Sequence, residues 1–261
     1  MMPNPDAPTW SLHPSGDRLL AIVCTHADPK VANGWCQALA RAFADHLPAG
    51  VDGIVPAMIS VTLHYQPERV LAAMPRDRRG GKSPYATSPY AISPYAILAE
   101  QVTALIAAFD LDRSAVGRDI TIPVCYGGEY GPDLEELAEA CGLTPQEVIA
   151  LHTAAPVDVL AVGFAPGHPY IGYFDARLSL GRRSSPRPEV PAGTVAVANR
   201  QSVIYPTRLP GGWNLIGRTP LIMFDPYRAE PSLVVAGDRI RFVAIDRSQF
   251  EALASQQEGR P

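Results

Sequence analysis

The stretch TVAVANRQSVIYPTRLPGGWNLIGRTPLIMF, residues 194–224, is the clearest guide to the fold of the second half of the chain. Short apolar runs alternate in it with glycine, proline and polar turn residues, and the same pattern continues on both sides. Candidate strands in and around it are residues 120–126, 158–163, 194–198, 202–205, 221–224 and 239–245. Many short strands separated by glycine and proline predict a closed or nearly closed β-barrel.

Two short helices are predicted between the first two of these strands. An apolar run over residues 134–140 follows Gly131-Pro132-Asp133, where proline suits a first turn and an acid favours the positive helix end. Gly142 ends that run as a C-cap. Thr144 and Glu147 have the spacing of a capping box, which predicts a second helix directly after the first.

The first 117 residues have a different pattern, in which strands and longer helices alternate. The predicted elements are a strand over residues 18–24, a helix after Asp28-Pro29, strands over 51–55 and 59–65, and a second helix that begins near Pro67 or resumes at Ile97. This β-α-β-β-α order is that of a split βαβ, ferredoxin-like unit. We therefore expect an α+β domain here.

Residues 75–96 form a biased segment in which Ser-Pro-Tyr-Ala occurs three times, the last copy beginning at Ser93. Repeated proline with serine and glycine predicts an extended surface loop. Gly81-Lys82-Ser83 is not the end of a phosphate-binding P-loop, because Arg76 stands where that motif needs glycine. The segment is either a variable insertion or a tyrosine-rich docking loop.

Composition argues against several classes of protein. The net charge is −4, so the chain lacks the basic field that holds nucleic acid or an anionic membrane. No apolar run approaches the ~20 residues of a membrane span, and the N-terminus lacks the pattern of a secretory signal. We expect a cytoplasmic protein with reduced cysteines and, since no cysteine pair has zinc-ligand spacing, no metal site. Cys125, beside a glycine pair, is either a structural thiol or a nucleophile.

Four blocks of the second part resemble the family of 5-oxoprolinase B subunits and Kip inhibitors, also called allophanate hydrolase subunit 1-like. They occur in the family's order and include PVCYGGEYGPDL at 123–134, LHT at 151–153 with GFAPGHPYIG at 163–172, residues 182–197, and residues 201–220 with PGGWNLIGRTP. The chain departs from the family pattern at His168, Tyr173 and Asn199-Arg200, which we expect at the mouth of the site.

The resemblance implies an α/β N-terminal domain over residues 1–117 and a cyclophilin-like β-barrel over residues 118–261. It also implies a B subunit that assembles with a homologous barrel-containing C subunit and a LamB-type A subunit. Such complexes cleave the lactam of 5-oxoproline to glutamate at the expense of ATP. Nothing in this chain resembles a complete nucleotide site, so we expect ATP and Mg²⁺ to be bound mainly or jointly by the partners, and this chain to be inactive alone.

The same scaffold carries two other functions, so the fold alone does not choose among them. Some relatives inhibit a histidine kinase without being enzymes. Others form part of a carboxyltransferase region that acts on urea- or allophanate-type amides, although this chain has no biotin-attachment motif.

Lactam opening needs activation of the amide carbonyl, donors for the developing oxyanion, and cations for the substrate carboxylate. Arginine suits the last task because its guanidinium pairs bidentately with carboxylates. The candidate catalytic residues are His152, Glu129 and Arg218. The candidate substrate-binding residues are Arg182, Arg183, Arg187, His168, Gln201, Tyr205, Gly211, Gly212, Asn214 and Thr219.

Each of these candidates has a structural alternative. His152 is either a general acid or base, or a residue that interacts with the carbonyls at its own helix end. Glu129 and Asp133 could orient His152 or bind a metal, while Asp133 could equally cap a helix. Tyr205 either bonds the lactam or belongs to the barrel core. The pair Gly211-Gly212 forms either an amide nest or a hairpin turn, and Trp213 is expected to pack.

Overall fold

A computed structural model of the chain describes residues 8–73, 93–109 and 117–258. It divides into two compact units, Met1–Ala115 and Val116–Pro261. Most of the predicted Ser-Pro-Tyr-Ala loop lies outside the described residues. No helix in the described ranges combines the length and apolar character that crossing a membrane requires.

The first unit is an antiparallel sheet with helices. Its elements are β1 (Thr9–Pro14), β2 (Leu19–Thr25), α1 (Pro29–Asp45), β3 (Val51–Pro56), β4 (Ser60–Tyr65), α2 (Pro67–Ala72) and α3 (Pro94–Ala108). The sheet order is β1-β2-β4-β3, so β4 lies between the two strands that α1 connects. This arrangement confirms the predicted split βαβ unit.

Two features of this unit differ from the sequence prediction. Strand β1 was not predicted, because only Trp10 and Leu12 mark its core-facing side, too short an alternation to stand out. The last Ser-Pro-Tyr-Ala copy is not loop but the start of α3. The Ser93 hydroxyl accepts a hydrogen bond from the Ala96 amide at 3.4 Å, and proline occupies the first turn.

The second unit is built around a closed barrel. Its elements are β5 (Asp119–Tyr126), α4 (Leu134–Ala140), α5 (Pro145–Thr153), β6 (Val157–Val162), β7 (Pro169–Gly172), β8 (Arg187–Val190), β9 (Thr194–Ala198), β10 (Gln201–Ile204), β11 (Leu209–Gly211), β12 (Asn214–Arg218), β13 (Arg239–Ile245) and α6 (Arg247–Glu258). The barrel closes in the order β10-β7-β6-β13-β5-β12-β9. Apart from the parallel pair β5 and β13, neighbouring barrel strands are antiparallel. The predicted barrel and the helical pair, with its Thr144–Glu147 capping box, are confirmed.

One predicted strand of this unit is wrong. Residues 221–224 form no ladder beyond a single bridge between Phe224 and Ser232. The strand of this region is β12, directly before, which pairs with both β9 and β5. Strand β12 was missed in the sequence because glycine and proline lie close to both its ends. Strands β7, β8 and β11 were missed as well, because each has only three or four residues.

Strands β9 and β10 are buried on both faces. Val195, Val197 and Ile204 belong to the core inside the barrel. The alternate residues face outward into a second apolar cluster, whose members are Val190, Ala196, Ala198, Val203, Tyr205, Trp213 and Leu215. Strands β8 and β11 pair as a two-stranded ribbon that contributes Val190 and Leu209 to this cluster, so the ribbon covers the outer face of the barrel.

A buried chain of hydrogen bonds crosses the barrel interior through His152, which is 0% exposed. Ser202 Oγ donates to the Ala196 carbonyl at 3.1 Å, so it can only accept from His152 Nε2, also at 3.1 Å. Nδ1 is then unprotonated and accepts from the Tyr126 hydroxyl at 2.7 Å. The Phe174 ring stacks on the imidazole with centroids 4.6 Å apart. Burial lowers the pKa of His152 to about 3, so the imidazole is neutral.

We expect Gly211→Ala to destabilise the second unit and Gly212→Ala to be tolerated. A Cβ at Gly211 would overlap the hydroxyl of the buried Tyr205, whereas at Gly212 the nearest atoms lie 3.6 Å away. Overpacking of this kind costs about 1–3 kcal/mol. Urea unfolding of the two variants measures the difference. Equal stability of the two variants would contradict the packing of the ribbon on Tyr205.

Replacing Ser202 by alanine should lower the free energy of unfolding by about 1–3 kcal/mol, because it leaves the buried Nε2–H of His152 without an acceptor. Ser255→Ala is the matched control, since that hydroxyl donates to the Glu251 carbonyl on the exposed side of α6. The control should change stability by less than about 0.5 kcal/mol. A loss for Ser202→Ala as small as that of the control would show that the chain of hydrogen bonds is not formed.

The imidazole of His152 should remain neutral between about pH 7.5 and pH 5. In the unfolded chain a histidine takes up a proton near pH 6.5, so this residue should lower the free energy of unfolding by about 1.4 kcal/mol for each pH unit below that value. The loss continues down to the folded pKa of about 3. Nitrogen-15 NMR of the ring would report the tautomer and its titration directly. A titration midpoint between about pH 6 and 7 would refute the assignment.

Candidate functional site

An aromatic group lies on the outer face of the barrel, where β7 and β10 meet the ribbon. The His168 ring centroid is 5.3 Å from that of Tyr205 and 5.2 Å from that of Tyr170, and Tyr170 lies 6.2 Å from Trp213. His168, Tyr205 and Trp213 are 2%, 2% and 6% exposed. We call these four rings, His168, Tyr170, Tyr205 and Trp213, the aromatic floor. It lies beside the ribbon on the outer side of the barrel and not inside it.

Two arginines, Arg182 and Arg187, lie next to the aromatic floor. The guanidinium carbon of Arg182 stands 5.1 Å from the Trp213 ring centroid, and Arg187 opens β8 of the ribbon. Burial raises the pKa of Tyr205 to about 12, and the charges of Arg182 and Arg187 act against that rise. Burial also lowers the pKa of His168 to about 4, an effect that the charge of Arg182 strengthens. The site therefore combines a positive field with a neutral imidazole.

Two buried side-chain atoms within the described part of the chain have no hydrogen-bond partner, and both belong to this group. They are Nδ1 of His168 and Nη1 of Arg187. Buried polar atoms nearly always have a partner, and one left without costs about 1–3 kcal/mol. A guanidinium nitrogen only donates, whereas a neutral imidazole nitrogen donates or accepts. An anionic or carbonyl oxygen would satisfy Nη1 of Arg187, and a donor or an acceptor would satisfy Nδ1 of His168.

Asp133 connects Arg187 to barrel strand β12 by hydrogen bonds. Its side chain is 4% exposed and accepts from Arg187 Nη2 at 2.6 Å, from Arg183 Nη1 at 3.4 Å and from the Leu215 amide at 2.8 Å. Asp133 is the N-cap residue of α4, as one of the alternatives predicted, but its side chain makes no capping hydrogen bond there. Arg183 also donates to Glu136 at 2.8 Å, so its charge is balanced within the protein.

The two glycines belong to the ribbon and its junction. Gly211 brings the backbone against the Tyr205 hydroxyl, and the Gly212 carbonyl accepts from the Arg183 amide at 2.7 Å. The close approach of backbone to Tyr205 therefore explains Gly211, and neither glycine needs a bound anion to account for it.

Four further predicted site residues are engaged elsewhere. Asn214 donates both amide hydrogens, to the Gly181 and Val197 carbonyls, each at 3.0 Å. Thr219 is buried and its hydroxyl accepts from the Leu221 amide at 3.3 Å. Nε of Arg218 donates to the Ala192 carbonyl at 2.8 Å. Gln201 closes the β9–β10 hairpin, and we assign none of the four to a ligand site.

The hairpin turn itself explains one departure from the family pattern. Asn199 and Arg200 have φ of 50° and 65°, the two positive values that a two-residue turn of this kind requires. Glycine supplies such values without strain, and asparagine tolerates them. These residues thus form the turn between β9 and β10 and do not contribute to the aromatic floor.

The structure does not support a catalytic role for His152 and Glu129, two of the three candidate catalytic residues. His152 lies inside the barrel with both ring nitrogens hydrogen-bonded, so it has no free position for substrate, and it does not bond the carbonyls of its helix end either. Glu129 is exposed and pairs with Arg247 at 2.6 Å, so it does not orient His152. The side chain of His152 points inward because α5 packs its buried face on the barrel.

Sequence reasoning missed Tyr170, Tyr126 and Ser202. Tyr170 alternates with the barrel-facing Ile171, a signal that was present but short. Ser202 holds an inward position on β10 among apolar neighbours, which marks it as a hydrogen-bond partner for another buried polar group. Cys125 is buried, and burial raises the pKa of its thiol, which favours the structural alternative over the nucleophile.

Comparisons with known proteins agree on a family. A family model described as "Carboxyltransferase domain, subdomain C and D" matches residues 10–234. The 5-oxoprolinase B subunit of Bacillus subtilis (strain 168) is 36% identical over 243 residues, which are 93% of this chain and 96% of that protein. The protein of the same name from Escherichia coli O157:H7 is 48% identical over 126 residues, 48% of this chain and 58% of that protein.

A solved structure shares the fold. The crystal structure of TTHA0988 superposes with a TM-score of 0.70 at 34% identity, covering 88% of this chain and 40% of that one. This chain thus spans less than half of that protein, although it matches nearly the full length of the Bacillus subtilis relative. The family model and the Bacillus subtilis relative each cover most of the chain. The chain therefore belongs to the family of carboxyltransferase domains, subdomains C and D, which includes the 5-oxoprolinase B subunits.

Proposed function

We propose that this chain is the B subunit of an ATP-dependent 5-oxoprolinase complex, in which the lactam of 5-oxoproline is hydrolysed to L-glutamate. The Bacillus subtilis relative, which is named as a 5-oxoprolinase B subunit, supports the proposal across almost the whole of both chains. The observation in the structure that carries it is the pair of unpartnered buried atoms, His168 Nδ1 and Arg187 Nη1, beside the aromatic floor.

The chemistry of 5-oxoproline matches this group. The molecule presents a carboxylate, a lactam carbonyl that accepts and a lactam N–H that donates, all on one small ring. Arg187 Nη1 supplies a charge-assisted donor for an oxygen of the ligand. Neutral His168 accepts from the lactam N–H through Nδ1.

The proposal gives this chain the tasks of binding and orienting substrate. ATP and Mg²⁺ would be bound mainly or jointly by a LamB-type A subunit and a homologous barrel-containing C subunit. ATP would supply the phosphoryl group that activates the lactam oxygen. The positive field of Arg182 and Arg187 then favours the negative charge that gathers on the substrate as water adds and the ring opens. Burial favours the neutral form of His168, so we assign it the role of a fixed hydrogen-bond partner and assign proton transfer to groups of the partner subunits.

We expect glutamate release from 5-oxoproline and ATP only when this chain is mixed with its A and C partners. Within that mixture, Arg187→Gln and His168→Phe should each lower kcat/KM about 10- to 100-fold, the loss expected for a hydrogen bond to a charged or buried group. Arg208→Gln is the matched control, because Arg208 pairs with the exposed Glu189 across the same ribbon. It should leave the rate unchanged.

The assay measures glutamate by a coupled enzyme, with assembly of the mixture checked by size-exclusion chromatography. An assembled mixture that releases no glutamate would reject the oxoprolinase assignment. Activity that survives both Arg187→Gln and His168→Phe would instead move the substrate site away from the aromatic floor.

A further inference from the structure

We propose that Asp133 is a positioning residue, which holds Arg187 so that its free Nη1 edge receives the carboxylate of the substrate. The choice of ligand rests on the proposed function, but the geometry of the carboxylate and the guanidinium stands independently of it. Both carboxylate oxygens of Asp133 already accept hydrogen bonds from protein donors, so the proposed role is to position Arg187 and not to contact substrate.

The contacts of the arginines single out Arg187. Arg183 is held by Glu136 at 2.8 Å and by Asp133 at 3.4 Å. Arg218 donates Nε to a backbone carbonyl. Arg182 lies over the Trp213 ring and supplies charge from that position. Among the arginines of the described residues, Arg187 alone keeps a buried side-chain nitrogen without a partner.

Asp133 fixes the direction of that nitrogen. The contact at 2.6 Å occupies Nη2, and since a guanidinium is planar, a fixed Nη2 also fixes where Nη1 points. The other carboxylate oxygen accepts from the Leu215 amide at 2.8 Å, so the anchor is attached to strand β12 of the barrel and not to a flexible side chain. Holding a guanidinium in place before the ligand arrives avoids the entropy of ordering it afterwards.

The charged groups around Asp133 have one excess positive charge, which one bound monoanion would neutralise. Asp133 and Glu136 balance Arg183 and Arg187 in three ion pairs. Arg182 has no acidic partner among the ion pairs of the described residues, and it adds one positive charge beside Tyr205 and His168. A monoanion such as a carboxylate neutralises this excess, whereas a ligand with a net positive charge is repelled.

A purely structural role for Asp133 would give different results in a double-mutant cycle. Asp133→Asn keeps the size and an acceptor for the Leu215 amide but removes the charge that holds Arg187. The cycle combines it with Arg187→Gln, and Asp119→Asn is the matched control, because it removes the same charge from an exposed carboxylate that holds Arg239. The measurement is binding of 5-oxoproline, and separately of acetate, to the full chain by NMR titration.

We expect wild type to bind both probes, and Asp133→Asn and Arg187→Gln each to weaken binding at least tenfold. The double variant should bind no more weakly than Arg187→Gln alone, and Asp119→Asn should bind as wild type does. Additive losses would show that Asp133 acts through the fold in general. Unchanged or tighter binding in Asp133→Asn would show that it only neutralises charge, and either result overturns the proposal.

Arg187→Lys provides a second test should Asp133→Asn fail to fold. Lysine keeps the positive charge and can still pair with Asp133, but it has no second edge to offer a carboxylate. It should lose as much affinity as Arg187→Gln, and wild-type affinity in this variant would contradict the proposal. Lack of carboxylate binding by wild type would also overturn it, even if the assembled complex releases glutamate. Conversely, Arg187-dependent binding in a complex without activity would leave this inference standing and remove the oxoprolinase assignment.

Discussion

Strands β9 and β10 are buried on both faces, and much of the second unit follows from that constraint. Their inward residues fill the barrel, while Ala196, Val203 and Tyr205 face outward and must also be removed from water. A single sheet cannot cover its own outer face, so the ribbon of β8 and β11 lies across it. The ribbon begins with Arg187 and ends with Gly211, so the element that completes the hydrophobic packing also delivers a cation and a close backbone to Tyr205.

Burial of the Asp133 carboxylate links this packing to the electrostatics. A carboxylate that is almost wholly removed from water is strongly destabilising unless several donors satisfy it. Arg187, Arg183 and the Leu215 amide provide those donors, and two of the three come from the chain that leads into the ribbon. Ribbon, barrel and charge cluster are therefore coupled, and a change to the carboxylate is felt at the guanidinium.

Much of the fold could be predicted because its signals are local. The capping box at Thr144 and Glu147, the split βαβ order and the glycine- and proline-separated strands depend on residues close in sequence. The ribbon could not be found in this way, because each of its strands has only three or four residues and they pair across a separation of about twenty. Strand β12 was hidden for a similar reason, since its partners β5 and β9 come from distant parts of the chain.

The same distinction explains the outcome for the site. Residue type alone selected four candidates that lie within electrostatic reach of one another in the structure: His168, Arg182, Arg187 and Tyr205. The direction of a side chain is set by distant partners: His152 bonds Tyr126 and Ser202, which lie 26 and 50 residues away. Asp133 has the position of a helix cap in sequence, but arginines about 50 residues later draw its carboxylate away.

Both buried histidines of the barrel unit are neutral, and this restricts what the unit does. Burial holds the pKa of His152 at about 3 and that of His168 at about 4, so neither exchanges a proton readily near neutral pH, where a general acid or base needs its pKa. Such groups serve as fixed donors and acceptors instead. A site made of neutral imidazole, aromatic rings and a guanidinium with one free edge is suited to recognising a small anion. The proposed function accordingly gives this chain the binding of substrate and assigns the activating and proton-transferring groups to partner subunits.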